Sequence, residues 1–286
     1  MALLAVLFHR FCQLILFLTV FLALSLFSIL IIRGMPSLNL SFIMDPMANA
    51  GLSGGVRYQI LGSLMLILSA AIFATPVALS FCYCFQNIPQ FRKPLITVLY
   101  ALNSVPSIVL GFLAFLLFAV YLNWGKSWLA GGLILAIMVT PSLSFFLIDG
   151  LRALPSTYSE TAKSLGLSAD DRWWKLYVPL LVKPYLTGLF LSLGRAAGET
   201  APILFVASVF YGATLPSGIK DNPVLSLPYH IFQLSQEAYQ PEALDRLWSS
   251  ALLIVLIVLV LQAPYYYFFW NRNRKGSKHA KLKLTR

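Results

Sequence analysis

Residues 152–179 read Arg-Ala-Leu-Pro-Ser-Thr-Tyr-Ser-Glu-Thr-Ala-Lys-Ser-Leu-Gly-Leu-Ser-Ala-Asp-Asp-Arg-Trp-Trp-Lys-Leu-Tyr-Val-Pro. They make up most of a polar stretch, 152–184, lying between long apolar runs, and a polar stretch in that setting needs a reason. The pattern predicts two short helices joined by a glycine. Thr157 with Glu160 three residues later reads as a capping box opening the first helix, and Ser168 with Asp171 as one opening the second. Gly166 falls between them, where a residue without Cβ most easily takes the left-handed turn that stops a helix. Pro179 is expected to end the second helix.

Outside this stretch the chain is strongly apolar. Of its 286 residues 59% are hydrophobic and 11% charged, with a mean hydropathy of +0.79; an ordinary soluble domain is roughly one quarter charged. So little polar material cannot cover a water-soluble fold, and the chain is therefore an integral membrane protein. Runs of about 20 residues, long enough to span, fall near 11–32, 60–85, 95–120, 129–151, 185–210 and 249–270. The expected fold class is all-α, a polytopic transmembrane helical bundle of six spans in a single domain over 1–286. The first run follows His9 and Arg10 as a signal peptide would. It is too long for one and lacks a small-x-small cleavage site, so it is read as a helix.

A net charge of +11 would point to nucleic acid in a soluble protein. Here the basic residues collect beside the apolar runs, so no nucleic acid is expected and the charge orients the bundle instead. Arg92 and Lys93 lie in one loop, and Arg152, Lys163, Arg172, Lys175 and Lys183 in the polar stretch. A basic tail over 271–286 adds seven more, from Arg272 to Arg286. The alternate loops hold Lys126 alone, or balance Lys220 and Arg246 with Asp221, Glu237, Glu242 and Asp245. The positive-inside rule then places both termini and 152–184 in the cytoplasm. The tail suits anionic membrane lipid, and the aromatic cluster 265–270 suits the cytoplasmic interface. Cysteines 12, 82 and 84 and histidines 9, 230 and 279 form no metal or redox pattern. Gly125-Lys126-Ser127 imitates the end of a phosphate-binding loop, but the glycine required five residues earlier is Val120. No nucleotide site and no catalytic residue is expected in this chain.

The fifth run contains Gly194-Arg195-Ala196-Ala197-Gly198-Glu199-Thr200-Ala201-Pro202. Arg195 lies about ten residues into the run, ~15 Å at ~1.5 Å per residue, near the middle of a ~30 Å hydrocarbon core. A charge there costs about 2.5–3.5 kcal/mol even on lenient insertion scales, so it should face a cavity or a partner. Arg195 and Glu199 are four apart and share a helix face. One reading is a buried ion pair with Gly194 and Gly198 as a small-residue packing face. The other is functional. Pro202 has no N–H and leaves a carbonyl near Gly198 unbonded, so the helix should break, with Thr200 capping a second half-helix. Broken helices face anionic substrates in transporters, and Arg195 would offer a bidentate fork to an oxyanion. Phosphate at neutral pH carries a proton that can bond Glu199; sulfate does not. Asn103, Ser104 and Ser107 in the third run are weaker candidates for lining the pathway.

Two sets of residues resemble known families. Glu160-x-Ala162, Gly166 four residues on, and Leu176-x-Val178-Pro179 resemble the EAA loop of ABC-transporter permeases, with Thr161 in place of the usual alanine. The resemblance implies an ABC importer permease fold in which 156–179 couples to an ATPase through Glu160, Thr161, Ala162, Gly166 and Pro179. Gly-Arg-Ala-x-Gly-Glu-Thr-Ala-Pro in the fifth run is similar to the PstA family, permeases of phosphate-specific ABC importers. So are Val-Pro-Ser-Ile-Val-x-Gly at 105–111, Leu-Pro-Tyr-His at 227–230, and Gly54-Gly55 followed by Gly62-Ser63-Leu64. The resemblance covers about 54–270.

That family implies a half-pathway for ATP-driven uptake of inorganic phosphate in the bacterial inner membrane. The implied partners are a sister permease (PstC-like), two ATPase subunits (PstB-like) that hold ATP and Mg, and an extracytoplasmic phosphate-binding protein (PstS-like). Residues 227–230 are expected at the outer surface, near that binding protein. The alternatives are a permease for another oxyanion, such as molybdate or phosphonate, or an ATP-independent carrier.

Overall fold

The computed structural model describes residues 2–212 and 214–284, with side chains for 4–212 and 214–266. Most of the aromatic cluster at 265–270 and all of the basic tail lie outside the described side chains. The chain begins with α1 (Ala2–Gly34) and the short α2 (Leu40–Met44). A two-stranded hairpin follows, β1 (Met47–Ala48) against β2 (Ser53–Gly54), and then α3 (Arg57–Asn87). Next come α4 (Arg92–Ser104), α5 (Ser107–Ala114), α6 (Trp128–Arg152), α7 (Ser156–Ser164), α8 (Ala169–Arg172), α9 (Val178–Ala196), α10 (Ala201–Val206), α11 (Leu227–Gln236) and α12 (Pro241–Leu284).

The bundle is organised around α6, whose apolar window is 67% buried against 0% for α1. Lipid is as apolar as leucine, so helices in a membrane associate by close packing of small residues. The facing surfaces show this. Ala70, Ala74 and Ala78 of α3 are fully buried, and a Cβ on Gly132 of α6 would fall on the Ser69 hydroxyl. Further along α6, Gly150 meets Pro184 of α9, and Gly188 of α9 meets Phe146. α1 touches the bundle near its C-terminal end, where Gly34 lies under Trp248 and Leu252 and accepts a bond from the Ser249 hydroxyl (2.9 Å).

Among the described residues five helical segments are each long and apolar enough to cross a membrane, and the bent pair α4–α5 passes the same test taken together, which is compatible with six spans. The third span is thus not one straight helix over 95–120. It bends by 93° between Ser104 and Ser107. The residue before a proline is pushed out of helical geometry, and Val105 is extended there (φ −68°, ψ 128°). Beyond α5 the helix widens into a π-type turn over Phe115–Tyr121.

The polar stretch is also arranged differently from the capping pattern. α7 starts two residues early, at Ser156, with Pro155 rather than Thr157 as its N-cap and no side-chain capping bond. Pro155, with its fixed φ and missing N–H, sets the start, so Thr157 and Glu160 do not form a box. The second box does form: the Ser168 hydroxyl accepts from the Asp171 N–H (3.1 Å) and donates to its carboxylate (2.7 Å). Pro179 ends nothing. A π-type turn over Trp173–Tyr177 joins α8 to α9, and the helix runs on through Pro179 from Ala169 to Ala196. Wide turns of this kind accommodate a residue that cannot donate to the helical ladder.

Candidate functional site in the broken fifth span

The fifth span breaks over 197–200. The Gly198 and Glu199 N–H groups bond back three residues, to Arg195 and Ala196 (both 3.1 Å), which tightens the end of α9. Helix resumes at Ala201 with Pro202 in its first turn, where a missing N–H costs nothing. Thr200 precedes α10, but its side chain makes no capping bond and its backbone is already helical (φ −104°, ψ −47°). The expected cap is therefore absent. α10 has only 6 residues, so the span's helix ends at Val206 rather than near 210. The chain then runs extended, with Ser208 paired to Val224.

The helix that follows the first break packs on the second. A Cβ on Gly111 of α5 would stand 2.6 Å from the Pro202 Cα, and Phe112 meets Phe205 edge-on at 6.4 Å. Glycine is required at 111 because the backbone of the other broken span occupies the space of a side chain. Ser107 opens α5 and is half-buried; Asn103 and Ser104 are exposed at the end of α4. The Ser104 hydroxyl is bonded to the Ala101 carbonyl (2.8 Å).

Arg195 sits half-way along the bundle. The register of Gly150 on Pro184 and Phe146 on Gly188 carries forward to place it level with Val139, mid-way along the 25-residue α6. Its contact with Glu199 is loose, 3.9 Å from Nε to Oε1, beyond hydrogen-bond length. The two side chains face different surroundings. Arg195 is 63% exposed and Glu199 only 19%. Glu199 borders a gap of about 10 Å³ with Ser63, Ser226 and Ile203, near the minimum for one water. Gly194 packs on Gln262 of α12, whereas nothing outside its own helix end crowds Gly198. This is not a buried ion pair on a two-glycine seam.

In the polar stretch 152–184, Gly166 takes the left-handed conformation (φ 73°). Its N–H bonds the Lys163 carbonyl (2.9 Å) and the Leu167 N–H bonds the Ala162 carbonyl (3.1 Å), the double bond pattern of a Schellman stop. Ala162 is buried, while Glu160, Thr161, Gly166 and Pro179 are exposed. Sequence reasoning missed how this stretch is held. The Tyr83 hydroxyl donates to Asp170 (2.7 Å), Trp173 meets Tyr83 edge-on at 5.3 Å, and Gln86 donates to the Tyr177 hydroxyl (3.0 Å). All three tie the stretch to the end of α3. Tyr83 and Gln86, hydrogen-bonding side chains at the end of an apolar run, were the available signal.

Residues 227–230 present mostly buried side chains, Tyr229 alone being half-buried. Leu227, Pro228 and His230 are buried, and the Leu227 N–H donates to Ser63 at the start of α3 (2.8 Å). His230 stacks on Phe210 (5.7 Å) beneath Gly51, and neither ring nitrogen has a hydrogen-bond partner among the described residues. Burial, with the Arg246 charge nearby, pulls its pKa down to about 4, so the ring is neutral at physiological pH. Lys126, from the false phosphate loop, donates to the carbonyls of Leu204 (3.1 Å) and Ser208 (2.9 Å) at the end of α10, a cation on a helix C-terminus.

Residues 89–269 match the family of binding-protein-dependent transport system inner membrane components. The chain belongs to that family. It is a multi-pass inner-membrane permease of an ABC transporter. It is 31% identical over 232 residues to the phosphate transport system permease protein PstA of Xylella fastidiosa, covering 79% of this chain and 78% of that one. It is 30% identical over 225 residues to PstA 2 of Mycobacterium tuberculosis, covering 78% and 73%. The probable PstA of Methanocaldococcus jannaschii is 29% identical over 231 residues, covering 78% of each chain. Among solved structures, the methionine ABC transporter MetNI in an inward-facing conformation superposes with a TM-score of 0.58, covering 74% of this chain and 94% of that one at 13% identity. That likeness establishes the ABC importer permease fold.

Proposed function

We propose that this chain is the PstA-type permease of an ATP-driven importer of inorganic phosphate, with Arg195 facing the translocation pathway. The observation that carries this reading is Arg195 itself: mid-way along the bundle, 63% exposed on this chain and only loosely paired. Facing lipid, that charge would cost about 2.5–3.5 kcal/mol or more. It therefore faces water or a sister permease, and its fork is free for an oxyanion. The relatives named as phosphate permeases supply the substrate class. Glu199, nearby and mostly shielded, accepts the proton that phosphate retains and repels sulfate, while Thr200, Asn103, Ser104 and Ser107 border the same two breaks.

Force enters at the coupling stretch. Tyr158, Leu165 and Trp174 are exposed there (46%, 74% and 66%), an apolar face for an ATPase groove, with both termini on that cytoplasmic side. ATP and Mg belong to two partner ATPases, and their closure pushes on 156–179. The helix from Ala169 to Ala196 is continuous, so a push at its start reaches Arg195 directly. A binding protein delivers phosphate on the other side, and a sister permease completes the pathway.

The test is uptake of radiolabelled phosphate by vesicles holding the complete complex, with binding protein outside and ATP within, against excess sulfate, molybdate or phosphonate. ATP-dependent uptake that resists these competitors is expected. Efficient competition by molybdate or phosphonate would transfer the assignment to another oxyanion.

A further inference from the structure

A second cluster of cations lies far from Arg195, at the ends of α3 and α6 and the start of α4. Arg92, Lys93 and Arg152 line a cleft of about 850 Å³ together with Phe85, Ile96 and Leu151. The volume lies within the range of ligand sites, roughly 300–1,000 Å³. Arg92 and Arg152 are both held against one ring: their guanidinium carbons stand 5.4 and 5.1 Å from the Phe85 centroid, inside cation–π range.

Part of this arrangement is structural. Arg92 donates to the Phe85 and Gln86 carbonyls (2.8 and 3.3 Å) and so caps the C-terminus of α3. The acid near the cluster is Asp149, 3.4 Å from Arg152, and both of those side chains are largely exposed, so the pair is weak. Three cations thus stand against one carboxylate, two of them repelling each other across a shared ring. An anion in the cleft relieves that repulsion.

We infer that this cleft binds a phosphate-ester oxyanion, and that the ligand is the headgroup of an anionic phospholipid. The apolar half of the lining decides between lipid and free phosphate. Phe85, Ile96 and Leu151 give an acyl chain a place beside the charges, and the cleft borders the exposed apolar flank of α4, where Phe91 and Val98 stand open (49% and 46%). Basic pockets between helix ends on the cytoplasmic side suit such headgroups. Bound there, the lipid braces the same end of α3 that holds the coupling stretch through Tyr83 and Gln86.

The full-length chain, purified with its assembled subunits, is titrated in detergent with cardiolipin, phosphatidylglycerol or phosphatidylcholine. Retained lipid is read by native mass spectrometry, with wild type beside Lys93→Gln/Arg152→Gln; Arg92 is left in place because it caps α3. The expected result is retention of the two anionic lipids over phosphatidylcholine. Binding should weaken about 25-fold in the double variant, from roughly five-fold per cation, with no displacement by millimolar inorganic phosphate. Unchanged retention in the double variant, or equal retention of phosphatidylcholine, overturns the inference. Displacement by inorganic phosphate reassigns the cleft to the free ion and overturns the lipid assignment. Loss of the ATPases from a variant that keeps its lipid would make the cluster a protein-docking patch instead. None of these outcomes depends on which oxyanion the complex transports.

Discussion

Span three turns through 93° at the Val105-Pro106 step, and span five breaks over 197–200 just ahead of Pro202. A proline stands at each break but not in the same role: Val105, ahead of Pro106, is extended, whereas Pro202 sits within the first turn of α10. The side chains differ: around the first break they are apolar, hydroxylic or amide, and around the second stand a guanidinium and a carboxylate. The two meet where Gly111 lies on Pro202. The first break supplies shape, bringing α5 against α10, and the second supplies charge at mid-depth. A membrane charge becomes useful only where the surrounding helices are interrupted enough to let something reach it.

Separating the breaks should have the largest effect. Gly111→Leu puts a side chain where the Pro202 backbone lies, and overpacking of this kind costs about 1–3 kcal/mol. The expected outcome is uptake below a tenth of wild type, with lower complex yield on size-exclusion chromatography; wild-type uptake would dissolve the idea that the breaks form one unit. A finer probe acts on the charged break alone. Glu199→Gln should narrow phosphate-over-sulfate discrimination about ten-fold, ~1.4 kcal/mol, in competition uptake assays. Unaltered discrimination would remove Glu199 from substrate choice.

Gly166→Val tests the far end of the lever. A left-handed β-branched residue costs roughly 1–2 kcal/mol, so ATPase co-purification should fall several-fold; unchanged co-purification would remove Gly166 from the docking stretch. The smallest effect belongs to His230. Its pKa is lowered on folding from 6.5 to about 4, so the folded chain binds fewer protons than the unfolded one. The stability this contributes is complete above about 6.5 and lost as pH falls toward about 4. Thermal unfolding of His230→Phe should be flatter with pH across that window than wild type.

Much of the fold was legible because composition and length leave few choices: the spans, the two short helices of the polar stretch and the Gly166 stop follow from local rules. The misreadings have local causes too. Pro155 outranked Thr157 as the start of α7, and a π-type turn carried the helix past Pro179. Val105-Pro106 carried its own signal, the restriction before proline, which reading 95–120 as one run obscured. The site was half legible. Arg195 and Glu199 announce themselves by charge in an apolar run, but their opposite exposures depend on α3 and α6 packing around the break. The burial of 227–230 likewise depends on Ser63, Phe210 and Gly51, contacts that no local pattern encodes.

The central claim is that Arg195 contacts the transported anion rather than only packing the break. The most direct test is phosphate uptake by reconstituted Arg195→Ala complex, with assembly checked by pull-down of every subunit. A bidentate charge-assisted contact contributes about 3 kcal/mol or more, so uptake should drop at least ~100-fold while the complex stays intact. An intact Arg195→Ala complex that moves phosphate at the wild-type rate would contradict the account.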